Sequence, residues 1–183
     1  MDIVDKTIIV TGFKPFAVYP VNSSWQAAKA LQRKRSDIYI QELTVDFVAA
    51  HNEITNLLAK QRCDILLMAG LADYPEIKLE MRARKPVALQ HISGADMYHG
   101  SWPWQQNLTD LSRLGYFAGL STDAGSYVCE SVYWSALNFR KEYGYPAHVA
   151  FIHVPPLSSY WNKDYIAGAL LASVSTAGGN YIL

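Results

Sequence analysis

Among the residues able to act as nucleophiles, Cys129 stands out by its position. It follows Asp123-Ala-Gly-Ser-Tyr127, a turn-forming stretch, and opens a helical pattern that continues through Val132, Tyr133, Ala136 and Leu137. The unpaired amides and macrodipole at a helix N-terminus favour the thiolate, which is the reactive form of cysteine. His153 ends the hydrophobic run His148-Val-Ala-Phe-Ile-His153, just before Pro155-Pro156. A histidine there can take the proton of a thiol and later deliver it to a leaving amine. The bland alternatives are a small buried hydrophobe for Cys129 and a backbone-bonded strand cap for His153. A Cys–His pair also needs a third group to orient the imidazole. Asp73, Glu76, Glu80 and Asp123 all lie in loops able to reach the same region, and spacing does not choose among them. Of the other histidines, His51 reads as solvent-facing on a helix, His91 and His99 fall in an irregular stretch, and His148 begins the strand that His153 ends.

Positioning such groups requires a scaffold, and the chain alternates strand and helix patterns. Lys6–Thr11, Ile38–Leu43, Asp64–Ala69 and His148–His153 read as strands; the first, third and fourth are nearly continuous apolar runs, as in a parallel sheet covered on both faces. Helical spacing runs from the Asn22-Ser-Ser24 capping region to Arg33-Lys-Arg35, from Val48 to Lys60, from Cys129 to Arg140 and from Tyr165 to Ala177. Leu71–Gln106 reads as irregular loop with short strands, and its basic run Arg82, Arg84 and Lys85 as a solvated loop. The alternation, without repeats or a low-complexity linker, predicts one α/β domain over residues 1–183. Ligands in such sheets bind beyond the carboxyl ends of the strands, which directs attention to Gly12-Phe13, Gly70-Leu71 and His153-Val154.

Composition narrows the function classes. The 183 residues carry 16 Lys+Arg and 16 Asp+Glu, and zero net charge removes the main argument for a nucleic-acid partner. Half the residues are hydrophobic and 17% are charged, which excludes disorder. Two cysteines, Cys63 and Cys129, are too few for a disulfide framework, and Cys63 precedes a buried strand. Neither lies at metal-ligand spacing, so no metal and no cofactor are expected. Dinucleotide, P-loop and serine-elbow motifs do not occur. No apolar stretch reaches membrane-spanning length, and the acidic Met1–Lys6 start does not read as a signal peptide. The expectation is a cytoplasmic protein without a membrane partner.

Three motifs in order resemble those of the pyroglutamyl peptidase I (pyrrolidone-carboxylate peptidase) family. They are Val10-Thr-Gly-Phe-Lys-Pro-Phe16 followed by Asn22-Ser-Ser-Trp25, then Asp123-Ala-Gly-Ser-Tyr-Val-Cys129, then Phe151-Ile-His-Val-Pro155. The resemblance implies a three-layer α/β/α sandwich with a central, mostly parallel twisted sheet, of the phosphorylase/hydrolase-like kind. It also implies a cysteine peptidase acting on small peptides with an N-terminal pyroglutamate, and a homo-oligomer, dimer or tetramer. Carried over by motif, Cys129 is the nucleophile, His153 the general base and acid, and Glu80, in Glu80-Met-Arg-Ala83, the third member. Phe13 and Phe16 would sandwich the lactam ring, with Val128 completing the wall.

The departures from the family pattern cluster around this site. Gly70-Leu-Ala-Asp-Tyr-Pro75 replaces a Gly-Gly-Arg stretch, and Lys85 replaces an Asn. An Arg expected in the following segment has no counterpart in His91–His99. Glu130 replaces the Asn after the nucleophile; an acid there opposes the thiolate electrostatically while suiting the helix dipole. A changed acyl specificity and a catalytically silent binding or scaffold protein therefore stand as alternatives. A nucleoside-handling α/β enzyme is a third, on fold analogy alone.

Overall fold

The computed structural model describes residues 6–178. Met1–Asp5, most of the stretch read for a signal peptide, lie outside the described residues, as do residues 179–183. In chain order the elements are β1 (Ile8–Phe13), α1 (Ser23–Lys34), β2 (Tyr39–Leu43), α2 (Phe47–Lys60), β3 (Ile65–Leu71), β4 (Ile77–Glu80), β5 (Arg82–Arg84), β6 (Met97–His99), α3 (Trp104–Arg113), β7 (Ala118–Ser121), α4 (Val128–Tyr143), β8 (His148–Val154) and α5 (Lys163–Thr176).

The continuous apolar runs become the centre of a six-stranded sheet of order β2-β1-β3-β8-β4-β7. Every residue of β1 and of β3 is buried, because helices cover both faces. Side chains alternate between the faces. Ile8, Val10, Ile65, Leu67, Ala150 and Ile152 pack with α1, α3 and α5 on one side. On the other, Ile9, Phe13, Leu66, Met68, Val149 and Phe151 pack with α2 and α4. The result is the expected three-layer α/β/α sandwich. Strands β2, β1, β3 and β8 are mutually parallel, whereas β4 runs antiparallel to β8 and β7 runs parallel to β4.

The segment read as irregular is more ordered than its sequence pattern. It holds β4, the separate antiparallel pair β5–β6 and the start of α3. These elements are short, and apart from the buried β4 they are largely half-exposed. In α3 only Asn107 and Leu111 are buried, and every residue of β7 is only partly covered, so the periodic signal that betrays a buried element is weak. The basic run is correspondingly not a solvated loop. Arg82 and Arg84 belong to β5, and both side chains bond to the segment preceding α4 or to α4 itself.

Candidate active site

The site is assembled where β1, β3 and β8 end side by side. Gly70 of β3 is paired with His153 of β8, and the neighbouring β1 ends at Phe13. The β1–α1 turn is held by polar side chains. The Asn22 side chain caps α1 by accepting from Ser24 N at 3.1 Å and donates to Lys14 O at 3.1 Å, while Ser24 Oγ accepts from Phe13 N at 3.1 Å. A Cβ on Gly12 would lie 2.7 Å from the Trp25 backbone, so glycine permits α1 to start this close to the strand.

Gly70 has a second role of the same kind. A Cβ there would stand 2.8 Å from Cys129 Sγ and 2.8 Å from the Phe151 ring, so the missing side chain is the space the thiol occupies. Cys129 reaches it from the first turn of α4. Tyr127, the cap residue, makes no side-chain capping bond; Glu130 N donates to the Tyr127 carbonyl at 3.1 Å, which leaves the amides of Val128 and Cys129 to meet an anion.

His153 is 4% exposed and Glu80 fully buried. Because β4 opposes β8 with Lys78 across from His153 and Glu80 across from Phe151, Glu80 reaches His153 on the diagonal. Its Oε1 lies 2.8 Å from His153 Nδ1, and its Oε2 is buried with no hydrogen-bond partner. The Tyr133 hydroxyl donates to the Glu80 carbonyl at 2.8 Å and fixes the end of β4. With Nδ1 turned to Glu80, the imidazole's other nitrogen is the one available to the thiol. Burial disfavours the charged imidazolium, but the charge and hydrogen bond of Cys129, together with those of Glu80, outweigh it and push the His153 pKa up to about 9. With its pKa at about 9, His153 carries its proton at neutral pH.

The other expectations divide. Phe13 and Val128 are buried in the same apolar cluster against which Cys129 packs, with the Phe13 ring 6.4 Å from that of Phe151. Among the described residues Phe16 lies outside that cluster, its ring 5.7 Å from Tyr19 in the turn after β1. Cys63 is buried, and burial, reinforced by Asp64, pushes its thiol up to about 12, so it is chemically quiet. His51 is not solvent-facing as read: it is half-buried, with Nδ1 2.7 Å from Ser135 Oγ, because α2 packs against α4. Of the rival acids, Asp123 pairs with Arg84 and Glu76 with Lys78. Asp73 is exposed. Among the described residues no group of three or more His, Cys, Asp or Glu could hold a metal ion, and no helix is long and apolar enough to cross a membrane.

Sequence reasoning missed two neighbours of the site. Tyr74 sets its ring edge-on to His153 at 6.1 Å, with Lys78 Nζ 5.8 Å from the ring centre, and Arg84 bonds to Glu130 beside Cys129. Neither contact leaves a local signature. Gly70 did have one, since an isolated glycine ending a buried strand marks a close approach.

Comparison with known proteins agrees with this architecture. The pyroglutamyl peptidase family model matches residues 6–83 and 82–177. The pyrrolidone-carboxylate peptidase of Thermococcus kodakarensis is 30% identical over 81% of this chain and 80% of its own, and human pyroglutamyl-peptidase 1 is 24% identical over 92% and 88%. Among solved structures, a mutant pyrrolidone carboxyl peptidase of Pyrococcus furiosus superposes with a TM-score of 0.85 at 23% identity, covering 96% of this chain and 100% of that one. Pyroglutamyl peptidase I of Bacillus amyloliquefaciens gives 0.84 at 21%, covering 95% of each chain. With the family model spanning nearly the whole chain and a relative at this identity, the protein belongs to the pyroglutamyl peptidase family of hydrolases.

Proposed function

We propose that this α/β domain is a cysteine peptidase that removes an N-terminal pyroglutamyl residue, with Cys129 as nucleophile, His153 as general base and acid, and Glu80 orienting the imidazole. The observation that carries the reading is the buried Glu80–His153 pair, Oε1 2.8 Å from Nδ1, with the imidazole's far side beside the half-buried Cys129. Family membership supports the substrate class.

The Cys129 thiolate attacks the carbonyl carbon joining pyroglutamate to the next residue, and a C–S bond forms. First-turn amides of α4 stabilise the oxyanion. As the C–N bond breaks, His153 gives its proton to the departing amine, leaving a thioester. Water attacks the thioester, His153 takes the proton, and pyroglutamate leaves with the thiolate restored. Glu80 accepts from Nδ1–H and holds the ring in place throughout. Phe13 and Val128 offer an apolar wall to the uncharged lactam.

The test is release of fluorophore from a pyroglutamyl aminocoumarin amide. Turnover is expected, and Cys129→Ala or prior thiol alkylation should lower it by about a thousandfold or more. Folded protein that releases nothing from this reporter, or a Cys129→Ala variant that keeps its activity, would refute the reading.

A further inference from the structure

Glu130 is a buried acid that the mechanism above does not use. It follows the nucleophile directly on the first turn of α4, is 5% exposed, and directs Oε1 to the β5 strand. There it accepts from Arg84 N at 3.0 Å and from Arg84 Nε at 3.1 Å. The same guanidinium pairs through its other end with Asp123, whose carboxylate also accepts from Gly125 N at 3.1 Å. Arg82, two residues earlier, donates to Thr122 O at 2.7 Å. Both arginines of β5 thus grip the segment that delivers Cys129.

Charge gives this grip a consequence for the chemistry. An unneutralised carboxylate one residue from the thiol, desolvated by burial, disfavours a second negative charge beside it. The elements around the start of α4 carry further ionisable groups. These are His153 and Glu80, Lys78 beside them, Tyr133 and Tyr127 on α4, Tyr74 after β3, Asp123, and His51 on α2. Among the described residues, only Arg84 forms an ion pair with Glu130.

We infer that Arg84 is a positioning residue for the nucleophile, neutralising Glu130 and tying the segment 121–127 to β5 so that Cys129 ionises in its working orientation. The inference rests on Cys129 being the nucleophile.

The experiment is the pH profile of Cys129 alkylation by iodoacetamide, with the modified peptide identified by mass, run beside turnover of the pyroglutamyl reporter. Arg84→Gln should raise the midpoint of the alkylation profile by about one pH unit, which is about tenfold in the ionisation constant of the thiol. Adding Glu130→Gln, which removes the charge and keeps an acceptor for Arg84 N, should return the midpoint to that of the parent. Arg84→Lys, which keeps a cation, should leave it nearly unmoved. An unshifted midpoint in a folded Arg84→Gln variant overturns the inference, as does a double variant no better than the single one. A purely structural anchor would lower thermal stability without moving the midpoint. The readouts separate failures: alkylation reports on Arg84 whether or not the reporter is turned over, while loss of turnover in the parent strikes the proposed function alone.

Discussion

The deep and outer parts of the site are built differently. At the bottom, Glu80, His153, Gly70 and Phe151 lie on strands of the central sheet, in an interior where a displaced atom has nowhere to relax. The rim is made of Tyr74, the β5–β6 pair and the segment before α4, all on short or exposed elements tied by side-chain bonds. The difference separates two tasks. On the proposed function, the sheet would fix the reacting groups against each other, and the rim would tune charge and access. The family resemblance is carried by motifs that supply the deep part, whereas the departures fall mainly on the rim.

Perturbing the deep part should therefore be costly. Glu80→Gln removes the charge facing Nδ1 and permits the wrong tautomer, so kcat should fall by about a thousandfold with little change in KM, as read from initial rates on the reporter. A loss in KM alone would mean that Glu80 does not orient the imidazole. Gly70→Ala puts a methyl where Sγ and the Phe151 ring meet, and a displacement of the thiol by about 1 Å should cost on the order of a hundredfold in kcat. An unaffected kcat would show that the thiol has room to move.

The pH dependence sharpens the contrast further. His153 must carry the proton it donates, so kcat/KM should fall on an alkaline limb near pH 9, about tenfold per unit beyond it. The same group links pH to folding. Its pKa is raised from 6.5 to about 9, so the folded state holds a proton that the unfolded chain gives up. That stabilisation is complete below about 6.5 and is lost as the pH rises through about 9, which denaturant titrations across this window would register. A flat rate between pH 8 and 10 would contradict a protonated His153. The rim should respond least. Tyr74→Ala should change KM by only a few fold, differing with the residue that follows pyroglutamate, and leave the alkaline limb in place. A loss as large as that of Glu80→Gln would erase the distinction between floor and rim.

Much of this molecule is written locally. Buried parallel strands announce themselves as unbroken β-branched and aliphatic runs, so β1, β3 and β8 are legible within two or three residues. The nucleophile and histidine are legible for the same reason, each standing at the end of a strong local pattern with the right chemistry. Boundaries drifted at two ends: α4 runs on to Tyr143, past Arg140, through an exposed last turn where the pattern fades, and β1 continues past the expected Thr11 through Gly12 to the buried Phe13.

What the residues alone determined is a layered α/β scaffold with a thiol and an imidazole at strand and helix ends. Tertiary structure decided which acid serves the histidine. Spacing left four carboxylates open and only the family resemblance pointed to Glu80; the antiparallel pairing of β4 with β8 brings it, 73 positions away from His153, into hydrogen-bond range. It also decided that Arg82 and Arg84 bond to the segment before α4 and to α4 itself, although Arg84 stays partly exposed to solvent. The physical reason is the same in both cases. Hydrophobic periodicity reports on burial along a chain, whereas a charge or hydrogen-bond partner is chosen across the fold by strand order and register, which no local window contains.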